Sequence, residues 1–367
     1  MRAGVGRFGC VAVRTRCEVL DIEQGADGAR TAVLDHATGE RARVSARFVM
    51  GCDGARSLVR RLIGSAMEDL HAHQQWLVVD VILGAAKPEL GDFSVQHCDP
   101  ARPATYVRGV GMRRRWEIML MPGEDPGTAG EAGTVWRLLA PWLRPDEAEI
   151  ERAAVYTFHA AIARAWRGGR LLLAGDAAHL TPPFLGQGMC AGMRDVANLA
   201  WKLRGVLGGA DEGLLDSYTS ERRAHVRDFI EVPVRLGRVI QETDVVAARA
   251  RDERMLAQPE LMRSPAPRLG PGLHGGRGEP AGRIAPQPVL ADGRLSDDVV
   301  GLGFGVLATG DFEGEVPGAV VVRDAALAGW LGEVGARAVV VRPDRYVLGV
   351  ADDVSGVLRL LILGAGG

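Results

Sequence analysis

Residues 169–209 read GRLLLAGDAAHLTPPFLGQGMCAGMRDVANLAWKLRGVLGG, and this stretch decides the fold. Its start, 171–174, is a continuous apolar run of the kind buried on both faces of a parallel sheet. Asp176 stands where that strand ends, the place at which open α/β sheets bind ligands. Next comes a Pro/Gly loop over 181–188. Met189, Met193, Val196, Ala200 and Leu203 then recur at helical spacing until Gly208 and Gly209 stop the helix. A carboxylate at such a strand end accepts charge-assisted hydrogen bonds from ribose hydroxyls. Gly186 and Gly188 let backbone approach a flat ring, and the helix start offers free N–H groups with about half a positive charge.

A second stretch, ARFVMGCDGARSLVRRLIG at 46–64, predicts a strand through 48–50, a sharp loop at 51–54 and a helix over 55–63. Asp53 is placed to cap that helix and Gly64 to end it, with Leu58 and Leu62 on one face. The opening GVGRFG, Gly4 to Gly9, fits GxGxxG letter for letter. That pattern cradles phosphate only where it follows a strand and opens a helix. Here three residues precede it, and the CVAVRTRCEVLDIEQ that follows alternates as a strand does, so the match is expected to be accidental.

With 44 Lys plus Arg against 46 Asp plus Glu, the chain has a net charge of −2 and no field to attract a polyanion, which argues against nucleic acid. Five cysteines show no CxxC pair and no zinc spacing, so no metal site is expected. No apolar run reaches the roughly 18 residues that span a bilayer, and nothing at the start resembles a signal peptide. These readings point to a cytoplasmic protein without membrane contact.

The two stretches resemble the DG and GD motifs of the class A FAD-dependent aromatic hydroxylases, and most closely the 3-(3-hydroxyphenyl)propionate hydroxylase branch. The likeness extends through RRRWEIMLMPGE (113–124), RAAVYTFHAAIARAWRGGR (152–170) and LLDSYTSERRAHV (214–226). It implies an α/β fold: a partial, Rossmann-like (GR2-type) FAD-binding domain with an inserted β-rich substrate domain and a C-terminal thioredoxin-like domain. The implied boundaries are 1–70 and 166–210 for the FAD-binding part, 71–165 for the substrate sheet, 211–262 helical, 263–283 a linker and 284–367 the last domain. The family's true GxGxxG unit is expected upstream of residue 1, which makes this chain N-terminally truncated by that reading.

What the resemblance implies can be placed by residue. Asp176 would hold ribitol or ribose hydroxyls of FAD. Pro182, Gly186, Gln187, Gly188 and Met189 would line the isoalloxazine. Asp53 and Arg56 would lie near the pyrophosphate and the nicotinamide path. Many relatives carry Asn where this chain has Cys190. The implied activity is FAD-dependent hydroxylation of a phenolic aromatic acid or related aromatic compound with dioxygen and NADH or NADPH, needing no protein nucleophile; no catalytic residue is assigned. The alternatives are a non-catalytic fragment and a flavin oxidoreductase of the same fold.

Runs 76–84 and 105–120 read as strands of the substrate sheet, the latter a hairpin turning near 112–114. His97, Arg108, Met119 and Met121 are candidates to face substrate, though core filling or a solvated face is the commoner fate of such residues. For His179 a loop-fixing hydrogen bond is expected. The region after the linker has no cysteine, which excludes a redox role for it and leaves packing or subunit contact, with a homodimer as a candidate assembly.

Overall fold

The computed structural model describes residues 2–259, 265–274 and 279–364. Residue 1, residues 260–262 of the expected helical segment, 263, 264 and 275–278 of the expected linker and 365–367 of the last domain lie outside the described residues. The chain divides into two compact units: Met1–Met67 with Ala163–His179, and Glu68–Ile162 with Leu180–Gly367.

Along the chain, α1 (Arg2–Val5) precedes β1 (Cys17–Gln24), β2 (Ala29–Asp35), β3 (Arg41–Ala46), β4 (Val49–Gly51) and α2 (Leu58–Ile63). Then come β5 (Met67–Leu83), β6 (Val95–His97), β7 (Ala104–Arg108), β8 (Arg113–Met119), α3 (Ala132–Leu139), β9 (Ala148–Ala163), β10 (Arg167–Gly168) and β11 (Leu171–Leu173). After β12 (His179–Leu180) the chain is helical through α4 (Gly188–Leu207), α5 (Asp216–Ile240) and α6 (Val245–Ala257). The last elements are α7 (Ser296–Val300), β13 (Phe304–Ala308), β14 (Ala319–Arg323), α8 (Ala328–Glu333), β15 (Ala338–Val341), β16 (Val347–Ala351) and α9 (Val354–Gly364).

In the first unit, β1, β2 and β3 form an antiparallel sheet. The alternation that predicts a strand from Cys10 yields one only from Cys17, and residues 4–16 are exposed. Among the described residues the helix at Gly4 is a four-residue turn, Arg2–Val5, so GVGRFG does not open a helix as a phosphate cradle does. The apolar strand β11 instead pairs in parallel with β4, matching Leu171 to Val49, Leu172 to Met50 and Leu173 to Gly51. Helix α2 packs onto this pair through Val59. The helix starts at Leu58 and not at residue 55; Val59 is its buried position, and Leu62 is 38% exposed. A Cβ on Gly51 would lie 2.6 Å from the Val59 Cβ, so only glycine lets helix and strand approach this closely.

In the second unit, a sheet in the order β12–β9–β5–β8–β7–β6 carries the core, with Leu77, Val79, Trp116 and Ile118 buried against Val135 and Leu139 of α3. The expected hairpin is present as β7 and β8, Arg108 facing Arg114 in register. A four-stranded sheet in the order β14–β13–β15–β16 follows, β13 and β14 parallel and the other pairs antiparallel.

Helices α4 and α5 are tied to this last region by a fully buried charge cluster. Glu221 of α5 accepts from both terminal guanidinium nitrogens of Arg342 at 2.8 Å, from Lys202 Nζ at 2.8 Å and from the Leu273 N–H at 2.6 Å. Arg342 also donates to Asp344, and Asn198 donates to Glu221 and Asp344 at 2.9 and 2.8 Å. Beside it Arg222 pairs with Asp195, and the Tyr346 hydroxyl meets His225 Nε2 at 2.8 Å. Burial opposes the Glu221 charge, but Arg342 and Lys202 outweigh it and hold the carboxyl well below its usual range. Burial also dominates at Lys202, pulling its ammonium down to about 8 against the pull of Glu221.

Two outcomes follow. Glu221→Gln leaves two buried cations short of a partner and should cost about 3–5 kcal/mol in denaturant unfolding. Because the folded carboxyl titrates below its unfolded value of 4.5, its contribution is complete above that pH and erodes as pH falls further, a loss the variant should lack. Gly51→Ala should destabilise the first unit by about 1–3 kcal/mol through overpacking against Val59, read as a lower midpoint in the same assay.

Candidate functional site

In the first unit, the loops after β4 and β11 leave adjacent ends of two parallel strands. Asp53 sits in the loop after β4 and accepts the N–H groups of Leu58 and Val59 at 2.6 and 3.1 Å, while Ser57 Oγ accepts that of Arg60 at 2.9 Å. Burial raises the Asp53 pKa, but hydrogen bonds from Ser57, Val59 and Leu58 outweigh it and hold the carboxyl below its ordinary range. Asp53 therefore caps α2 as the sequence implies, sharing the task with Ser57, which is the N-cap residue. Gly64 ends the helix at φ +72°. Arg56 is exposed, and its guanidinium meets no described residue.

Arg60 is the residue here that sequence reading missed. Its guanidinium donates to the Ala177 carbonyl at 2.8 Å and the Ala55 carbonyl at 2.6 Å, so one side chain ties the loop after β4 to the turn after β11. Both acceptors are main-chain atoms, which no side-chain motif announces; the available signal was a cation three residues beyond a Ser N-cap. Asp176 lies in that turn, exposed, and its carboxylate makes no hydrogen bond or ion pair with a described residue. His179 is buried and stacks on Trp166 with ring centroids 5.5 Å apart.

In the second unit, a single 3-10 turn, Pro183–Leu185, leads to Gly186 at φ +62° and then to α4. A side chain at Gly186 would meet nothing within 4 Å but would strain the backbone, and one at Gly188 would press Thr181 Cγ2 at 3.3 Å. Gln187, at the N-cap of α4, makes no side-chain cap, and the first turn holds no acidic residue. The first N–H groups of a 20-residue helix are thus left for a ligand. Met189 at this end is 65% exposed. Of the residues that recur at helical spacing, Met189, Met193 and Val196 are exposed, and the buried positions are Ala191, Asp195, Asn198, Leu199, Lys202 and Val206. The polar members of that face are buried because the ion pairs described above neutralise them.

Two cavities that share His73, Gln74 and Gln241 lie in this unit, the smaller of them beside this turn. One of about 150 Å³ is bordered by His73, Phe158, Pro182, Phe184 and Gln241. The other, about 570 Å³, is bordered by His73, Met119, Met121, Glu124 and Thr157. Trp76, fully buried, stacks on Phe158 at 5.7 Å and meets Phe184 edge-on at 5.5 Å, walling the region with aromatic rings. A Cβ on Gly237 would lie 2.7 Å from the Phe184 ring, so this glycine lets α5 seat Phe184. Of the four candidates for contact with substrate, Met119 and Met121 border the larger cavity. Arg108 pairs with Asp92 at 2.5 Å on an exposed face, and His97 packs near Trp142, where burial lowers its pKa. Among the described residues no cluster of His, Cys, Asp and Glu suits a metal ion, and no helix is long and apolar enough to cross a membrane.

The FAD binding domain family matches residues 1–232. The chain is 37% identical over 376 residues to the "Probable NADH-specific resorcinol 4-hydroxylase" of Rhodococcus jostii (strain RHA1), covering 94% of this chain and 70% of that protein. It is 38% identical over 331 residues to a 3-(3-hydroxy-phenyl)propionate/3-hydroxycinnamic acid hydroxylase of Mycobacterium sp. (strain JLS), covering 84% of this chain and 56% of the relative. The chain thus spans little more than half of the second relative's length. In fold it is similar to aklavinone-11 hydroxylase solved with FAD and aklavinone, with a TM-score of 0.78 at 21% identity, over 96% of this chain and 74% of that one. The flavin-dependent monooxygenase PieE gives the same TM-score at 22% identity, over 95% of this chain and 75% of its own. On the strength of the family match and these relatives, the chain belongs to the FAD-dependent aromatic hydroxylases.

Proposed function

We propose that this chain binds FAD and, with NADH or NADPH and dioxygen, takes part in hydroxylating a small phenolic aromatic compound. The observation that carries the reading is the open start of α4 behind two bare glycines, a positive helix end with no carboxylate of its own to neutralise it. The name of the Rhodococcus relative favours NADH as the reductant.

The residues present suit the cofactor. Asp176, exposed and without a protein partner, accepts hydroxyl groups of the sugar chain. Backbone amides at 188–190 face the negative charge that builds at the pyrimidine end of the ring, with Pro182, Gly186, Gln187 and Met189 as its walls. Arg56 is the cation left for the pyrophosphate and the nicotinamide path, whereas Asp53 acts through the helix it caps. When bound, FAD supplies the redox chemistry that activates dioxygen. Phe158 and Phe184 give the smaller cavity an aromatic wall, which the buried Trp76 backs.

In this reading 1–70 and 166–210 form the FAD-binding part and 71–165 is the substrate sheet. Region 284–367 is thioredoxin-like: its strand order, with one parallel and two antiparallel pairs flanked by helices, supports that assignment. All five cysteines are unpaired, in keeping with a cytoplasmic location, and exposed Val245, Val246 and Leu256 of α6 supply apolar surface for a homodimer.

The purified full chain mixed with FAD should remain yellow after gel filtration and form hydroxylated product as NADH is consumed with a phenolic acid. A well-folded colourless product would overturn the proposal. Asp176→Ala should weaken FAD binding by about 1.5–3 kcal/mol, roughly 10- to 150-fold in Kd by fluorescence titration.

A further inference from the structure

Helix α6 is held to the second unit along one side. Ala248 and Arg251 are its buried positions. The Arg251 guanidinium donates to the Val239 carbonyl at 2.9 Å and to the Cys98 carbonyl at 2.6 Å, and it pairs with Asp252 at 2.8 Å. Asp244 caps the start of the helix by accepting the Ala247 N–H at 2.8 Å. These contacts fix the rotation of α6 about its axis, and with it the side turned away from Ala248 and Arg251. At about 3.6 residues per turn, that side carries Val246, Arg249, Ala250, Glu253, Leu256 and Ala257, spaced three and four apart. All six are exposed, Val246 at 79% and Leu256 at 82%.

This face is complementary to itself when turned end for end. Val246 and Leu256 each stand five residues from Arg251, and both are apolar. Arg249 and Glu253 each stand two residues from it, one a cation and the other an anion. Neither has a hydrogen bond or ion pair with a described residue. Asp252 is already engaged with Arg251, and Arg254 stands beside the face instead of on it. Laid antiparallel against a second copy about a two-fold axis at Arg251, the face brings Val246 to the partner's Leu256 and Arg249 to the partner's Glu253, each contact made twice. A parallel arrangement would set Arg249 against the partner's Arg249 and Glu253 against the partner's Glu253, which repel. Ala250, close to the midpoint, is small enough to let the two axes approach.

We infer that α6 is a contact surface between two copies of this chain, pairing antiparallel with α6 of the second copy through reciprocal Arg249–Glu253 ion pairs flanked by Val246 and Leu256. This rests on the homodimer named above and gives it a geometry. The contact is isologous, so it closes at two copies and builds no filament. Its size sets its strength. A helix of 13 residues is about 20 Å long, and one such pair buries less than the roughly 800 Å² per partner of a standard stable interface. The dimer therefore forms and dissociates with protein concentration. Added salt weakens it, because the ion pairs stay in contact with water.

Sedimentation velocity on the full chain reads the contact directly. The wild type should pass from one chain to two as its concentration rises from about 1 to about 100 μM. Arg249→Glu gathers only carboxylates at the seam and Glu253→Arg only guanidinium groups, so each variant alone should associate about tenfold more weakly or worse. Mixed in equal amounts, the two variants regain both opposite-charge contacts, and the mixture should dimerise as tightly as the wild type. Mixing does not cure a folding defect, so recovery reports the contact itself. Unchanged association of both variants, or a mixture that stays monomeric, overturns the α6 contact while leaving the homodimer standing. A wild type that remains a single chain throughout that range overturns both.

Discussion

Two three-residue strands separated by residues 52–170 pair in parallel, and the arrangement of the first unit depends on that pairing. Register is the decisive variable, since a slip of one residue would turn each side chain to the opposite face of the strand. With Leu173 opposite Gly51, the Ala174 N–H continues the ladder to the Gly51 carbonyl at 3.0 Å, and the loops carrying Asp53 and Asp176 leave adjacent strand ends. Gly51 then has to be bare, because α2 lies against the pair through Val59. Arg60, carried on α2, closes the arrangement by holding the Ala177 carbonyl. Each of these contacts presupposes the one before it, which is why a three-residue ladder can specify the positions of two loops.

The second unit solves a different problem, that of fixing a helix whose open end is its useful end. Helix α4 anchors itself through its far half: Asp195, Asn198 and Lys202 are fully buried and engaged with Arg222, Glu221 and Asp344. Taking these charges out of water costs several kcal/mol per ion, and apolar side chains of equal volume would cost far less. What the cluster supplies is orientation, since any other rotation of α4 about its axis leaves an uncompensated charge in the interior. The start of α4 is thereby held without a capping side chain.

Much of this was legible in the sequence, and the failures have a common cause. The LLLAGD strand, the hairpin of β7 and β8 and the cap at Asp53 were all readable, because each depends on residues close together in the chain. The helical spacing of Met189, Met193 and Val196 was readable, but not which face of α4 is buried, which is the opposite one. The charges that make the opposite face buriable come from Arg222, Glu221 and Asp344, residues that the local pattern cannot see. Arg60 escaped notice because its partners are carbonyls.

The two motif helices differ in a way that assigns their roles. Both present an N-terminus near a glycine-rich loop, and both ends carry about half a positive charge. That of α2 is already neutralised, with Asp53 accepting two amides and Ser57 a third. An anion arriving there would have to displace a carboxylate already bound at 2.6 Å. The start of α4 has neither a capping side chain nor an acidic residue in its first turn, and a carboxylate of its own would repel the negative charge a reduced ring acquires. The capped helix therefore serves as scaffold, and the uncapped one is the end that we propose faces the cofactor. This division follows from the cap chemistry alone.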